Sequence, residues 1–200
     1  MSNRHHSAPT PALMPVIGRI GWLRGALGAA LAILLTGLVS QLALAGNTAL
    51  PWLLAPIGAS AVLVFVLPAS PLSQPWPVLG GHVIAGAVGL IAHGLVPTPW
   101  LAAGLAVGFS IAVMSIARCL HPPAGGTALV TALASPAVAS VGWAFLIMPL
   151  ALNVAVLLAA GFTWNRLTGH SYPHRPAQTA APADWIGHID DADLDSVLAD

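Results

Sequence analysis

The chain has 200 residues and a mean hydropathy of +0.85, with 57% apolar and only 6% charged residues. Soluble domains carry about a quarter charged residues, so this balance excludes a water-soluble globule and places the chain in a lipid bilayer. Six arginines offset six aspartates, giving zero net charge and no basic surface suited to nucleic acid, and the single cysteine, Cys119, excludes an internal disulfide and a thiolate metal cluster.

Residues 1–18 contain Arg4, His5, His6, Pro9, Pro11 and Pro15, a composition read as a flexible cytoplasmic tail. An apolar run over 19–45 follows. It is long enough to cross the bilayer and further spans follow it, so it reads as a retained helix and not a cleaved signal peptide. Crossing hydrocarbon as a helix takes about 20 apolar residues. The segments 19–45, 78–96, 99–118 and 140–164 meet that requirement. Two more, 51–67 and 124–138, are shorter and open with proline and glycine, which remove a donor and loosen a helix. Full spans, half-helices and re-entrant loops are all open to them. The transmembrane domain is taken as 19–166. Residues 167–200 form a polar tail that carries all six aspartates from Asp184 onward, without the loop pattern of a calcium site.

The two short segments resemble each other. Pro56-Ile57-Gly58-Ala59-Ser60-Ala61 aligns with Pro123-Ala124-Gly125-Gly126-Thr127-Ala128 at an offset of 67, and the register continues through Trp76 with Trp143, Leu79 with Leu146, Leu90 with Leu157 and Gly94 with Gly161. An internal duplication of three segments each requires the second half to be inverted, as in many secondary transporters. The expected fold is therefore an all-α, polytopic transmembrane helix bundle of six segments arranged as a 3+3 inverted repeat. Six crossings put Arg4, Arg19, Arg24, Arg118, Arg166 and Arg175 on one side, which the positive-inside rule makes cytoplasmic. A count of four spans and two re-entrant hairpins puts Arg118 on the outer face instead.

Chemistry is expected at the breaks, because irregular backbone at membrane depth lines a protein cavity or water. Helices starting near Gly58 and Gly125 direct positive dipole ends toward the break, which favours an anion. Ser60 and Thr127, in the first turns, either cap the backbone or donate to a ligand. Gly58, Gly125 and Gly126 let a ligand approach the main chain, and Pro56, Pro122 and Pro123 hold the breaks. Arg118 supplies attraction if it does not merely snorkel to the interface, and His121 tunes the site with pH or simply ends a helix. His82 and Gln74 are weaker candidates. Ser110, Ser115 and Asn153 are assigned to helix–helix bonding, and Gly21, Gly25, Gly104 and Gly108 to close packing. No Asp or Glu lies within a span, which argues against a cation site or carboxylate relay. Nothing suggests an enzyme, a cofactor or a bound metal.

The run Met114-Ser115-Ile116-Ala117-Arg118-Cys119-Leu120-His121-Pro122-Pro123-Ala124-Gly125-Gly126-Thr127-Ala128-Leu129 resembles the signature of the HPP family of integral membrane proteins. Two further stretches, 56–63 and 70–82, are similar to other blocks of that family, so the resemblance covers about residues 19–175. It implies a bundle of transmembrane helices and, for plastid and cyanobacterial members, nitrite transport. Pro77 stands where the family often has Asn, and Gly126 where it often has Ala. Some longer relatives continue into cytoplasmic CBS domains, whose regulation is not carried over to this chain. The expected function is a transporter or channel-like carrier of a small monovalent anion, nitrite first, in the cell inner membrane. The alternative is a non-transporting scaffold whose acidic end recruits a partner. The apolar outer faces suit lipid, and equally a homodimer.

Overall fold

A computed structural model describes residues 21–44 and 50–174. The expected N-terminal tail, Arg19 and the C-terminal tail from Arg175 onward, with all six aspartates, lie outside the described residues. The helices are α1 (Gly21–Ala43), α2 (Ala55–Val66), α3 (Pro75–Leu95), α4 (Pro99–Ile116), α5 (Ala124–Ala132), α6 (Pro136–Val141) and α7 (Leu152–Leu167). Proline in the first turn starts α2, α3, α4 and α6, where its missing N–H costs nothing. Ser70 caps a short 3-10 turn at Pro71–Ser73, and Ser135 caps α6. No strand occurs among the described residues.

Four helical stretches, Gly21–Ala43, Pro75–Leu95, Pro99–Ile116 and Pro136–Leu167, are long and apolar enough to cross a membrane. They fall where the four long runs put them, but the last is not one straight helix. Gly142 takes φ +55° and Met148 leaves helical geometry at φ −135°, ψ 117°, just before Pro149 withdraws a donor. Hydropathy cannot register such a bend, because every residue across it is apolar. The two short segments become helices of 12 and 9 residues. At 1.5 Å per residue these are about 18 and 13 Å long, well under the ~30 Å hydrocarbon thickness.

Hydrogen bonds fix which helix ends lie together. At one end, Arg24 on α1 donates to Asn165 Oδ1 (3.0 Å) and Thr168 Oγ1 (3.1 Å) and to the Phe65 carbonyl of α2 (2.9 Å). Tyr172 donates to the Ser73 carbonyl (2.7 Å), the His174 N–H to Gln74 Oε1 (2.8 Å), and Trp76 Nε1 to the Ala117 carbonyl (3.1 Å). The start of α1, the ends of α2, α4 and α7 and the start of α3 thus share one end. At the other, Asn153 accepts from the Leu54 N–H (3.1 Å) and donates to Ser40 Oγ (2.8 Å) and the Trp52 carbonyl (3.1 Å). His93 Nδ1 donates to the Ala132 carbonyl there (3.1 Å), joining the ends of α3 and α5.

The interior has two parts. One is built on α1, α2 and α7 around Ile57, Val64, Phe65, Phe145 and Leu157; the other on α3, α4 and α5 around Ala85, Ala106, Met114, Ala124 and Ala128. Small side chains dominate the second because α3 and α5 approach very closely. A Cβ on Gly89 would strike the Thr131 hydroxyl and the Ala128 carbonyl, so only glycine fits. Gly25 is similarly tight, 2.9 Å from Val66 Cγ2 at its notional Cβ, as expected for packing. Gly104 and Gly108 are not: added Cβ atoms there meet nothing within 4 Å, so this pair serves no contact within the described chain.

Candidate functional site

α2 and α5 meet at their N-terminal turns. They touch at Pro56 and Gly126, where a Cβ on Gly126 would lie 3.0 Å from Pro56 Cγ. Glycine at this position lets the two helix starts close on one another.

Beside that contact lies a fully buried polar cluster. Ser60, His82 and His121 are 0% exposed and Thr127 is 1% exposed. Ser60 Oγ lies 2.8 Å from His82 Nε2 and 2.8 Å from His121 Nε2. His82 Nδ1 lies 2.7 Å from Thr127 Oγ1, and His121 Nδ1 lies 2.8 Å from the Leu72 carbonyl. The imidazoles meet edge to face at 5.1 Å between ring centres. Gly81 makes room for this arrangement, since a Cβ there would sit 2.7 Å from His121 Cβ.

The Leu72 carbonyl can only accept, and that fixes the direction of every bond when both rings are neutral. His121 Nδ1–H donates to Leu72, so His121 Nε2 must accept, from the Ser60 hydroxyl. Ser60 then has no second hydrogen and accepts from His82 Nε2–H. His82 Nδ1 accepts in turn from the Thr127 hydroxyl. The result is one unidirectional chain, Thr127 to His82 to Ser60 to His121 to Leu72, in which every ring nitrogen has a partner. The Ser60 oxygen also lies 3.1 Å from the Pro56 carbonyl, a competing acceptor for its one hydrogen.

The other candidates are placed as follows. The amides expected to face a ligand at the start of α5 are engaged: Ala124, Gly125 and Gly126 donate to the carbonyls of His121, Pro122 and Pro123 at 2.9, 3.1 and 3.0 Å. Ile57 N–H donates likewise to Leu54 (2.9 Å) in α2. Tightening of the first turn satisfies these amides, so the donors in the interior are side chains, although the helix dipoles still point inward. Gly58 is exposed and Gly125 half-exposed, and an added Cβ would meet nothing at either, so these equivalent positions both have open space alongside. Pro56 is buried, Pro122 exposed and Pro123 half-buried. Arg118 is exposed, three residues from His121 and with φ +53°, and touches none of the cluster's polar atoms. Gln74 belongs to the end loop, where it donates to the carbonyls of Pro68 (2.9 Å) and Ser70 (2.8 Å). Asn153 bonds neighbouring segments as expected, whereas Ser115 bonds only its own helix at Ile111 (2.7 Å) and the buried Ser110 hydroxyl has no partner.

The sequence reading missed the Leu72 carbonyl, because any residue type supplies one. It also missed the Arg24 bonds, whose partners lie 41 to 144 positions away.

Residues 14–173 match the family described as HPP, transmembrane region. The chain belongs to the HPP family. The HPP signature thus contributes His121 and Thr127 to the cluster and leaves Arg118 outside it. Two transmembrane proteins of Dictyostelium discoideum are similar, one 34% identical over 126 residues and one 35% identical over 127. These alignments take in 60% and 61% of the chain but only 44% and 40% of the relatives, so the chain spans less than half the length of either. No solved structure matches it.

Proposed function

We propose that the chain is a six-crossing inner-membrane transporter, a carrier and not an enzyme, moving a small monovalent anion with nitrite as the first choice. The observation that carries this is the meeting of two opposed helix N-termini around four buried neutral donors and acceptors, in a membrane region without any carboxylate. Inward-pointing dipoles and an absence of acidic groups favour negative solutes over cations. Arg118 at the mouth raises local anion concentration.

The bonding at the two ends supports six traversals. Chain 50–66 leads from the Asn153 end to the Arg24 end, and chain 117–134 from the Trp76 end back to the His93 end. Each joins a short helix to an extended or turning lead. Arg24, Arg118 and Arg166 then share one end, which is cytoplasmic by the positive-inside rule along with both termini. The inverted repeat is supported by packing as well: α1 packs on α2 and α7, while α4 packs on α5 and α3. Exchanging the halves maps one set of neighbours onto the other.

The test is reconstitution of the purified chain in liposomes, following uptake of nitrite, nitrate, formate and chloride. Saturable nitrite uptake above that of protein-free vesicles is expected. Permeability equal to that of empty vesicles for all four ions overturns the reading and leaves a scaffold role.

A further inference from the structure

The chain of hydrogen bonds is longer than anion binding requires. A binding site needs converging donors, whereas Thr127, His82, Ser60 and His121 form a line in which each member both donates and accepts. Hydroxyl and neutral imidazole are the side chains that can take a proton on one face and release one from another. The line ends at Leu72, half-buried in the cytoplasmic-end loop. Toward the other end its continuation is shut. Thr131, one turn beyond Thr127, gives its hydroxyl to its own helix at the Thr127 (3.1 Å) and Ala128 (3.3 Å) carbonyls, and Gly89 presses against it.

We infer that this line is a proton relay, and that the transporter moves a proton with its anion. The coupling rests on the anion reading above; the relay itself does not. In one passage, which requires the Thr131 side to open, Thr127 Oγ1 takes a proton from water or from a weak acid and passes its own hydrogen to His82 Nδ1. His82 releases its Nε2 proton to Ser60, Ser60 passes its hydrogen to His121 Nε2, and His121 releases its Nδ1 proton to water at the Leu72 turn. One proton is taken up and one is released. Every member ends neutral, both imidazoles have exchanged tautomer, and rotation of rings and hydroxyls resets the line.

Few other groups bear on it. α2 contributes Ser60, α3 His82, α5 Thr127, and the segment before α5 His121 and the buried Cys119, whose Cβ lies against Gly80. The charged side chains among the described residues are Arg24, bonded to the Phe65 carbonyl at the far end of α2, and the exposed Arg118 and Arg166. Tyr172 is held on Ser73 beside Leu72. With no carboxylate among the described residues to trap a proton, the relay passes it on instead of storing it.

The experiment uses liposomes containing the full chain and a trapped pH dye, with protein-free vesicles as the baseline for spontaneous permeation of nitrous acid. An inward nitrite gradient is expected to acidify the lumen beyond that baseline as nitrite accumulates. His82→Gln and Thr127→Val are expected to bring acidification to the baseline, and Thr127→Ser to preserve it. Nitrite uptake by the wild type without added acidification overturns the relay and spares the anion reading. Acidification driven by a potassium diffusion potential without nitrite uptake supports the relay and overturns the anion reading. Wild-type acidification in correctly inserted His82→Gln overturns the relay, and if that variant fails to insert, the wild-type comparison still decides.

Discussion

Ser60 and Thr127, which align at the sequence offset of 67, hold opposite nitrogens of one imidazole: His82 Nε2 is 2.8 Å from the serine oxygen and Nδ1 is 2.7 Å from the threonine oxygen. At the same offset His82 falls on proline, Pro149. One histidine of α3 thus bridges α2 to α5, and that bridge is where substitution is most informative.

Thr127→Val preserves shape and removes the hydroxyl, leaving His82 Nδ1 buried without a donor. A buried polar atom that loses its partner costs about 1–3 kcal/mol. The thermal midpoint in detergent should fall and nitrite uptake should drop, while Thr127→Ser restores both. Equal midpoints for the valine and wild-type proteins would remove the bond to His82 from the account.

Arg118 occupies left-handed backbone at φ +53°, a conformation costing a non-glycine residue about 1–2 kcal/mol. Arg118→Gly should therefore raise the unfolding midpoint while lowering anion uptake, with the loss of uptake largest at low ionic strength, where attraction at the mouth is least screened. A lower midpoint, or uptake unchanged at every salt concentration, contradicts the assignment.

Gly89→Ala and Gly104→Ala make the same chemical change in opposite surroundings. The first drives a methyl group into Thr131 and the α5 backbone and should destabilise by about 1–3 kcal/mol. The second meets open space and should be neutral or gain up to ~1 kcal/mol from helix propensity. Chemical denaturation of the two variants side by side checks the α3–α5 contact directly.

Tyr172, the single tyrosine, lies beyond α7 with its hydroxyl donating to the Ser73 carbonyl, and burial pushes its phenol above the usual range. A raised folded-state value means this contact contributes fully below the ordinary tyrosine pKa of about 10 and is lost as pH climbs through the higher folded value. Tyrosinate absorbance should appear later in the folded protein than after denaturation. Coincident titration curves would place the phenol in water.

Much of this architecture was legible beforehand because bilayers impose it: three long apolar runs became single long helices and the fourth a bent helical stretch, and proline with glycine marked both short ones. The repeat at offset 67 pointed to Ser60 and Thr127 as partners, and both are buried in the cluster. His82, open to both a structural hydrogen bond and a transport role, is hydrogen-bonded on both ring nitrogens, and a lone histidine in a span has no sequence signal telling the two roles apart. The amides at Gly125 and Gly126 were overrated. Their tight-turn bonds depend on backbone torsions, which glycine leaves open instead of dictating. The bend at Met148 escaped notice for the related reason that Pro149 signals a missing donor but not the direction in which the chain turns.

The two-part interior divides the cluster. Arg24 joins α1, α2 and α7 into one block, and Gly89 seams α3 to α5 in the other. Of the four central side chains, Ser60 alone rides with the first block, while His82, His121 and Thr127 ride with the second. Ser60 therefore makes both of its imidazole contacts across the boundary between the two blocks, so truncating that one hydroxyl would part both rings from the first block at once.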